Sequence, residues 1–331
     1  MRITDLPDSA ARVQFLPAVS PRFILTIDTE EEFDWQQPIE REAHTVHTVT
    51  RLARFQEFCE GQGVTPVYLV DYPIATSPAA IDILRPAVTA GKAEVGVQLH
   101  PWVSPPHDEE VNEHNTFVGN LPRELEREKF RRLRDAIEQG CGANPLIYRA
   151  GRYGVGPNTA EILAEGGIAI DSSVRACFDY SAAGGPNFRD HPLAPYWLDR
   201  SHRLMELPLT TVYWGLLRQL GGWLYPQLWR VPRLRGVMAR IGLLERIPLT
   251  PEGVTSEEAI RGIDIALDQG LPLLVFSFHS PSLAPGYTPY VRNEDDLDRL
   301  YDWWRQVFAY LRTRNVANTG VRGIIDSVAL A

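Results

Sequence analysis

The sequence predicts a barrel-type α/β protein, and three observations carry that reading. Short apolar runs alternate along the chain with longer amphipathic stretches, the pattern of parallel βα units. No glycine-rich phosphate loop follows the first apolar run, where a dinucleotide or P-loop fold would carry one. Polar, chemically capable residues stand at the ends of several of the runs, and a β/α barrel brings such ends to one face. A chain of 331 residues with 44% hydrophobic and 23% charged residues can bury the core that such a fold needs.

Residues 22–28 (RFILTID) read as a buried strand, followed by a helix over about 46–62 with Leu52, Phe55, Phe58 and Cys59 at helical spacing. A second strand is expected at 65–70 and a helix at 79–90 that must accommodate Pro86. Residues 94–100 (EVGVQLH) form a third strand, 122–139 a charged helix and 146–149 a short fourth strand. Gly156-Pro157 opens a helix to 165, since proline is favoured in the first helical turn. Strands at 168–171 and 204–209 continue the series. Thr255 and Glu258 match a capping box for the next helix. Residues 273–278 (LLVFSF) are the last clear strand, and Asn293 caps an aromatic-rich helix to about 312.

Residues 1–20 read as an N-terminal extension and 21–331 as one barrel, interrupted by a helical insertion at about 214–247. That insertion mixes Arg218, Arg230, Arg233, Arg235, Arg240 and Arg246 with Trp214, Trp223, Trp229 and leucines. It suits a barrel cap, a homo-oligomer contact or a peripheral membrane contact; Gly221-Gly222, Pro226 and Pro232 interrupt any single interfacial helix. The net charge of −9 disfavours nucleic acid as a partner. The N-terminus lacks the basic start and apolar stretch of a secretory signal, and no run is long enough for a membrane span, so a cytoplasmic protein is expected. Cys59, Cys141 and Cys177 are widely spaced and form no C-x-x-C pair, which points to free buried thiols.

The candidate chemistry collects at strand ends: Asp28 and Glu30 after the first, His100 after the third, Arg149 after the fourth, then Asp171 and finally His279. Each position alone suits an ordinary exit from the core; together, with two histidines, they describe a site. Asp28 and Glu30 fall on one side of an extended chain and suit a metal or a shared proton. Glu31, Glu32 and Asp34 read as a solvated acidic loop. Trp35, Trp102, Tyr153, Tyr180 and Tyr196 lie where they either stack on a ligand ring or pack the barrel mouth; Arg152 and Arg175 suit an anionic group or plain solvation.

Thr26-Ile27-Asp28-Thr29-Glu30, Glu94 to Trp102, Tyr148 to Gly154 and Phe276 to Pro281 together resemble the motifs of the polysaccharide deacetylase (NodB-homology) family, in the right order, as does Ile170-Asp171-Ser172-Ser173. The resemblance spans about residues 23–312 and implies a distorted (β/α)7-type barrel that hydrolyses acetyl groups from a saccharide or lipid-linked saccharide. It casts Asp28 as the general base that activates water, Arg149 as the residue that holds it, His279 as the acid for the leaving amine, and Glu30 as a metal-binding carboxylate. Trp35, Trp102, Arg152 and Tyr153 are the expected substrate contacts. The pattern departs in the second motif, where the family usually supplies two metal-binding histidines four residues apart; here Gln98 and Trp102 occupy those positions, with His100 between them. His100 is displaced by roughly 6–7 Å along the strand from Gln98. With Glu30 it is the expected ligand of a divalent metal, zinc first, and His107, His114 or a nearby aspartate would complete the set. Two alternatives stay open: a metal-free amide hydrolase, similar to the cofactor-independent allantoinases on this fold, and a catalytically silent saccharide-binding barrel.

Overall fold

The computed structural model describes residues 1–16, 21–35, 37–199, 201–229 and 231–328. In chain order the elements are β1 (Arg22–Thr29), α1 (Arg51–Gln62), β2 (Val67–Val70), α2 (Tyr72–Ala75), α3 (Pro78–Thr89), β3 (Glu94–Leu99), α4 (Arg123–Cys141), β4 (Ile147–Ala150), α5 (Thr159–Glu165), β5 (Ile170–Asp171), β6 (Tyr196–Trp197), β7 (Met205–Glu206), β8 (Thr211–Trp214), α6 (Gly221–Trp229), α7 (Pro232–Arg240), β9 (Glu245–Pro248), α8 (Ser256–Asp268), β10 (Leu273–His279), α9 (Glu294–Thr313), β11 (Ala317–Asn318) and α10 (Val321–Ile325). The expected strands and helices fall within a few residues of these. Thr255 forms both halves of its capping box on α8, and Asn293 caps α9 through its side chain.

Seven parallel strands run side by side in the order β10-β1-β2-β3-β4-β5-β7 among the described residues, the arrangement expected of a (β/α)7-type barrel. β6 adds an antiparallel edge to β7, and β11 a short parallel rung on β1. The opening between β7 and β10 is bridged by the chain after β7 and the end of β9. Leu249 N donates to Thr210 O at 3.0 Å, Ser277 N to Leu249 O at 3.2 Å, and Val275 N to Thr210 Oγ1 at 2.9 Å.

Strand alternation divides the core in two and decides which side chains reach the interior. Phe23, Leu25 and Ile27 of β1, with Val95, Val97, Leu99, Tyr148, Phe276 and Phe278, pack outward on the helix layer of Phe55, Leu133, Trp304 and Phe308. Ile24, Val67, Leu69, Ile147, Ile170, Met205 and Val275 fill the barrel itself. Asp28 therefore continues the inward row of Ile24 and Thr26, Arg149 that of Ile147, and His279 that of Val275 and Ser277. Burying these inward rows and the aromatic layer behind them contributes on the order of 1.5–3 kcal/mol per large apolar side chain, before chain entropy is set against it.

Residues 1–16 lie against the sheet edge, with Ile3 buried and Val13 N donating to Pro195 O at 2.9 Å. The 214–247 segment is an excursion from an antiparallel β8–β9 hairpin, with α6 and α7 at its tip. Leu216, Trp223 and Ile241 are exposed there, 83%, 71% and 61%, so this segment presents apolar surface rather than covering it; Arg230 lies outside the described residues. No described helix is long and apolar enough to cross a membrane. The three cysteines are free, Cys59 and Cys141 buried and Cys177 half-buried.

Candidate active site

The inward rows of β1, β3, β4 and β10 end around one cavity of about 600 Å3, whose lining includes Asp28, Glu30, Trp35, Gln98, His100, Trp102, Arg152, Tyr153 and His279. Arg149 forms the floor below it, fully buried. Its Nη1 is ion-paired with Asp28 Oδ1, Nη2 donates to Thr26 Oγ1 at 2.9 Å and to Ser172 Oγ at 3.1 Å, and Nε donates to Ser172 O at 2.9 Å. Four fixed contacts leave the guanidinium, and so Asp28 Oδ1, one position. The other oxygen, Asp28 Oδ2, faces His279 Nε2 at 3.8 Å.

His279 is oriented from behind by a residue that the sequence did not single out. Glu252, in the loop after β9, accepts from His279 Nδ1 at 2.7 Å, from its backbone N at 3.2 Å and from Ser282 Oγ at 2.6 Å. Burial pulls the imidazole pKa down, but the carboxylates of Glu252, Glu30 and Asp28 outweigh it and hold His279 at about 10. The ring is therefore an imidazolium at neutral pH, with Nε2–H turned toward Asp28. Trp35 meets it edge-on at 5.0 Å.

Glu30 sits on the opposite wall. Burial raises its carboxyl to about 8 against the opposing pull of His279 and His100. Gln98 Nε2 donates to Glu30 Oε2 at 3.1 Å, and His100 Nε2 lies 3.5 Å from the same oxygen. The offset along β3 thus does not separate His100 from the site: Gln98 and His100 converge on one carboxylate oxygen. Gly151 makes this possible, because a Cβ there would stand 2.3 Å from His100 Cδ2. The next two residues, Arg152 and Tyr153, hold positive φ of 54° and 60°, a strained turn that aims both side chains at the cavity. Arg152 is held by Thr116 Oγ1 and packs over Phe117 at 4.2 Å.

Two expectations are corrected. Glu31 and Glu32 are buried rather than solvated. Glu31 accepts from His100 Nδ1 at 2.8 Å and from Trp102 Nε1 at 2.7 Å, while its backbone N donates to Asp71 Oδ2 at 2.7 Å. Glu32 takes the backbone N–H groups of His47 at 2.8 Å and Thr48 at 2.5 Å, bracing the start of the first helix. Only Asp34 of that run is exposed. Asp171 does not join the site: it falls on the outward row of β5, opposite Glu206 on β7, and accepts from Ser173 Oγ at 2.6 Å. Burial raises both of these carboxyls above the usual carboxylate range.

Trp102 is buried and stacks on His100 with centroids 4.3 Å apart, so it shapes the histidine as well as the cavity wall. Tyr180 stacks on Tyr153 at 5.6 Å, whereas Tyr196 is buried on β6 away from the lining. His107 and His114 are exposed and outside the lining. Two groups of residues could hold a metal ion. Glu31, Asp71 and His100 bring one ligand atom each within 4.8 Å of one another, all buried. The carboxylate oxygens of Glu31 and Asp71 are already taken by Trp102, His100, Glu31 N and Ile74 N. Glu30 and His100 Nε2, by contrast, open on the cavity, and Gln98 Oε1 is a buried oxygen without a partner beside them. Glu31 on His100 Nδ1 then plays the part of the outer carboxylate that orients a ligating imidazole.

No family model and no curated protein matches the chain. Among solved structures, the Puue allantoinase is similar with a TM-score of 0.55 at 12% identity, over 97% of this chain and 94% of that one. That likeness establishes the barrel fold. A candidate polysaccharide deacetylase from Mycobacterium smegmatis aligns with a TM-score of 0.48 at 19% identity, over 96% of this chain and 98% of its own. A family 4 carbohydrate esterase from Streptomyces lividans, in complex with acetate, aligns at 0.44 and 12%, over 95% and 99%.

Proposed function

We propose that the cavity hydrolyses the amide of an N-acetylated saccharide, releasing acetate and an amine. The observation that carries this reading is the line Arg149–Asp28–His279–Glu252 across its floor, which pairs a fixed carboxylate with a histidine kept protonated. In this reading Asp28 Oδ2 takes a proton from a water as its oxygen attacks the acetyl carbon. The C–N bond then breaks as His279 Nε2 gives its proton to the departing nitrogen. Glu252 keeps Nδ1–H engaged, so that Nε2 is the atom that delivers. Trp35 and Tyr153 supply flat faces for the sugar ring, and Arg152 a guanidinium at the rim.

Glu30 and His100, with the unpartnered Gln98 Oε1, fit a divalent cation, zinc first. When bound, it supplies Lewis-acid polarisation of the scissile carbonyl. A metal-free hydrolysis is the second reading, favoured by the hydrogen bond from Gln98 Nε2 to Glu30. There Glu30, its carboxyl raised to about 8, is protonated at neutral pH and donates to the same carbonyl oxygen.

Acetate release across a panel of N-acetylated oligosaccharides tests the proposal. Asp28→Asn should keep the fold and lower turnover by about 10²–10⁴-fold, the range of general acid–base catalysis. His279→Ala should cost far more on the amide than on an activated ester, whose leaving group needs no proton. Saccharide binding without any turnover would instead identify a silent binding barrel.

A further inference from the structure

Beside the main cavity lies a smaller recess of about 180 Å3, and Trp35, Tyr153 and His279 are walls of both. Arg175, on the chain after β5, lines the recess. Its guanidinium packs 4.0 Å from the Phe178 ring centroid and 5.2 Å from that of Tyr153, and Nη1 donates to Tyr180 Oη at 3.3 Å. No carboxylate pairs with it among the described residues. A guanidinium carries five N–H donors, so most of its capacity is unused here. Two more walls of the recess, Thr211 and Trp35, hold buried polar atoms without a partner, the hydroxyl Oγ1 and the indole Nε1. An indole N–H can only donate. The recess also contains one carboxylate, Glu252, whose oxygens are occupied by His279 and Ser282. Unpartnered donors thus converge on the recess, while its one carboxylate is already engaged. Arg246, packed on the same Phe178 ring at 3.4 Å, adds a second positive charge nearby.

We propose that this recess is an anion subsite, in which Arg175 takes a carboxylate of the substrate through two parallel N–H···O bonds. The inference rests on the hydrolase reading for the position of the scissile group over Asp28 and His279, and narrows the substrate to an N-acylated acid, such as an N-acetylated uronate sugar. Size agrees: about 180 Å3 leaves room for a carboxylate on a short stem. A single guanidinium fork matches one planar carboxylate.

Calorimetry on the full chain would compare 2-acetamido-2-deoxyglucuronate with N-acetylglucosamine, which has a hydroxymethyl group in place of the carboxylate, and with N-acetylglucosamine 6-phosphate. The uronate should bind about tenfold or more tightly than the neutral sugar, as a charge-assisted pair implies. In Arg175→Gln that ratio should collapse to near one, and Arg175→Lys should restore only part of it. Ratios taken within one variant are independent of its stability. Equal binding of acid and neutral sugar, or an unchanged ratio in Arg175→Gln, would overturn the subsite; a phosphate sugar that binds better than the uronate would overturn its carboxylate specificity. Acetate release measured alongside separates the two readings. Preferred binding of the uronate without turnover leaves the subsite standing and removes the hydrolase. Turnover without preference for the acid does the reverse.

Discussion

Replacing Glu252 with glutamine keeps the shape beside His279 and removes one negative charge at 2.7 Å from Nδ1. Burial works against the imidazolium, and three carboxylates offset it to give a pKa of about 10. Glu252 is the largest of the three and the one in direct contact. An opposite charge at such range is worth roughly 1–3 pKa units, so the variant should titrate at about 7–9. The sign follows from which form is favoured. In the native protein His279 adds stability that is complete below about 6.5 and is lost as pH rises through about 10; the variant loses it earlier. If His279 is the acid, the alkaline limb of kcat/KM on an amide substrate should move down by the same interval, with the smallest loss of activity near pH 6, where both proteins carry the proton. Imidazole nitrogen shifts followed by NMR report the same titration without a substrate. An unmoved His279 titration in Glu252→Gln would refute the electrostatic account of this histidine.

Arg149→Ala strands Asp28 in the interior and should cost about 3–5 kcal/mol of stability, as breaking a buried ion pair does, read from the urea midpoint. Adding Asp28→Asn should recover part of that loss; strict additivity would show that the two do not act as a pair. Equilibrium dialysis with zinc should give one bound equivalent that Glu30→Gln and His100→Ala each weaken; affinity retained in both would remove these residues as ligands. Gly151→Ala places a methyl where the His100 ring stands, and should displace that ring and lower activity while the fold persists; a crystal structure with His100 unmoved would contradict this.

The sequence by itself determined the seven strands that run parallel and which residues end them, whereas β6, β11 and the β8–β9 hairpin that carries the 214–247 excursion emerged only in the tertiary structure. Apolar runs such as Phe23 to Ile27 and Leu273 to Phe278 suit a parallel sheet buried on both faces, and a polar residue after each run stands at the strand's end, on the face where a barrel gathers its site. Asp28, Arg149, His100 and His279 were legible for that reason. Parity along a strand was legible only where the strand was long. On the two-residue β5 it drew Asp171 into the site, whereas pairing with Glu206 on β7 placed it outward. Glu252 gave no local signal, because its partner lies 27 residues away and the loop is brought there by β9 closing the barrel. Glu31 and Glu32 read as solvated since charge runs usually are. Whether a carboxylate can be buried depends on donors supplied from elsewhere, here the Trp102 indole, the His100 ring and the backbone at Thr48, and only the tertiary structure brings those donors to it.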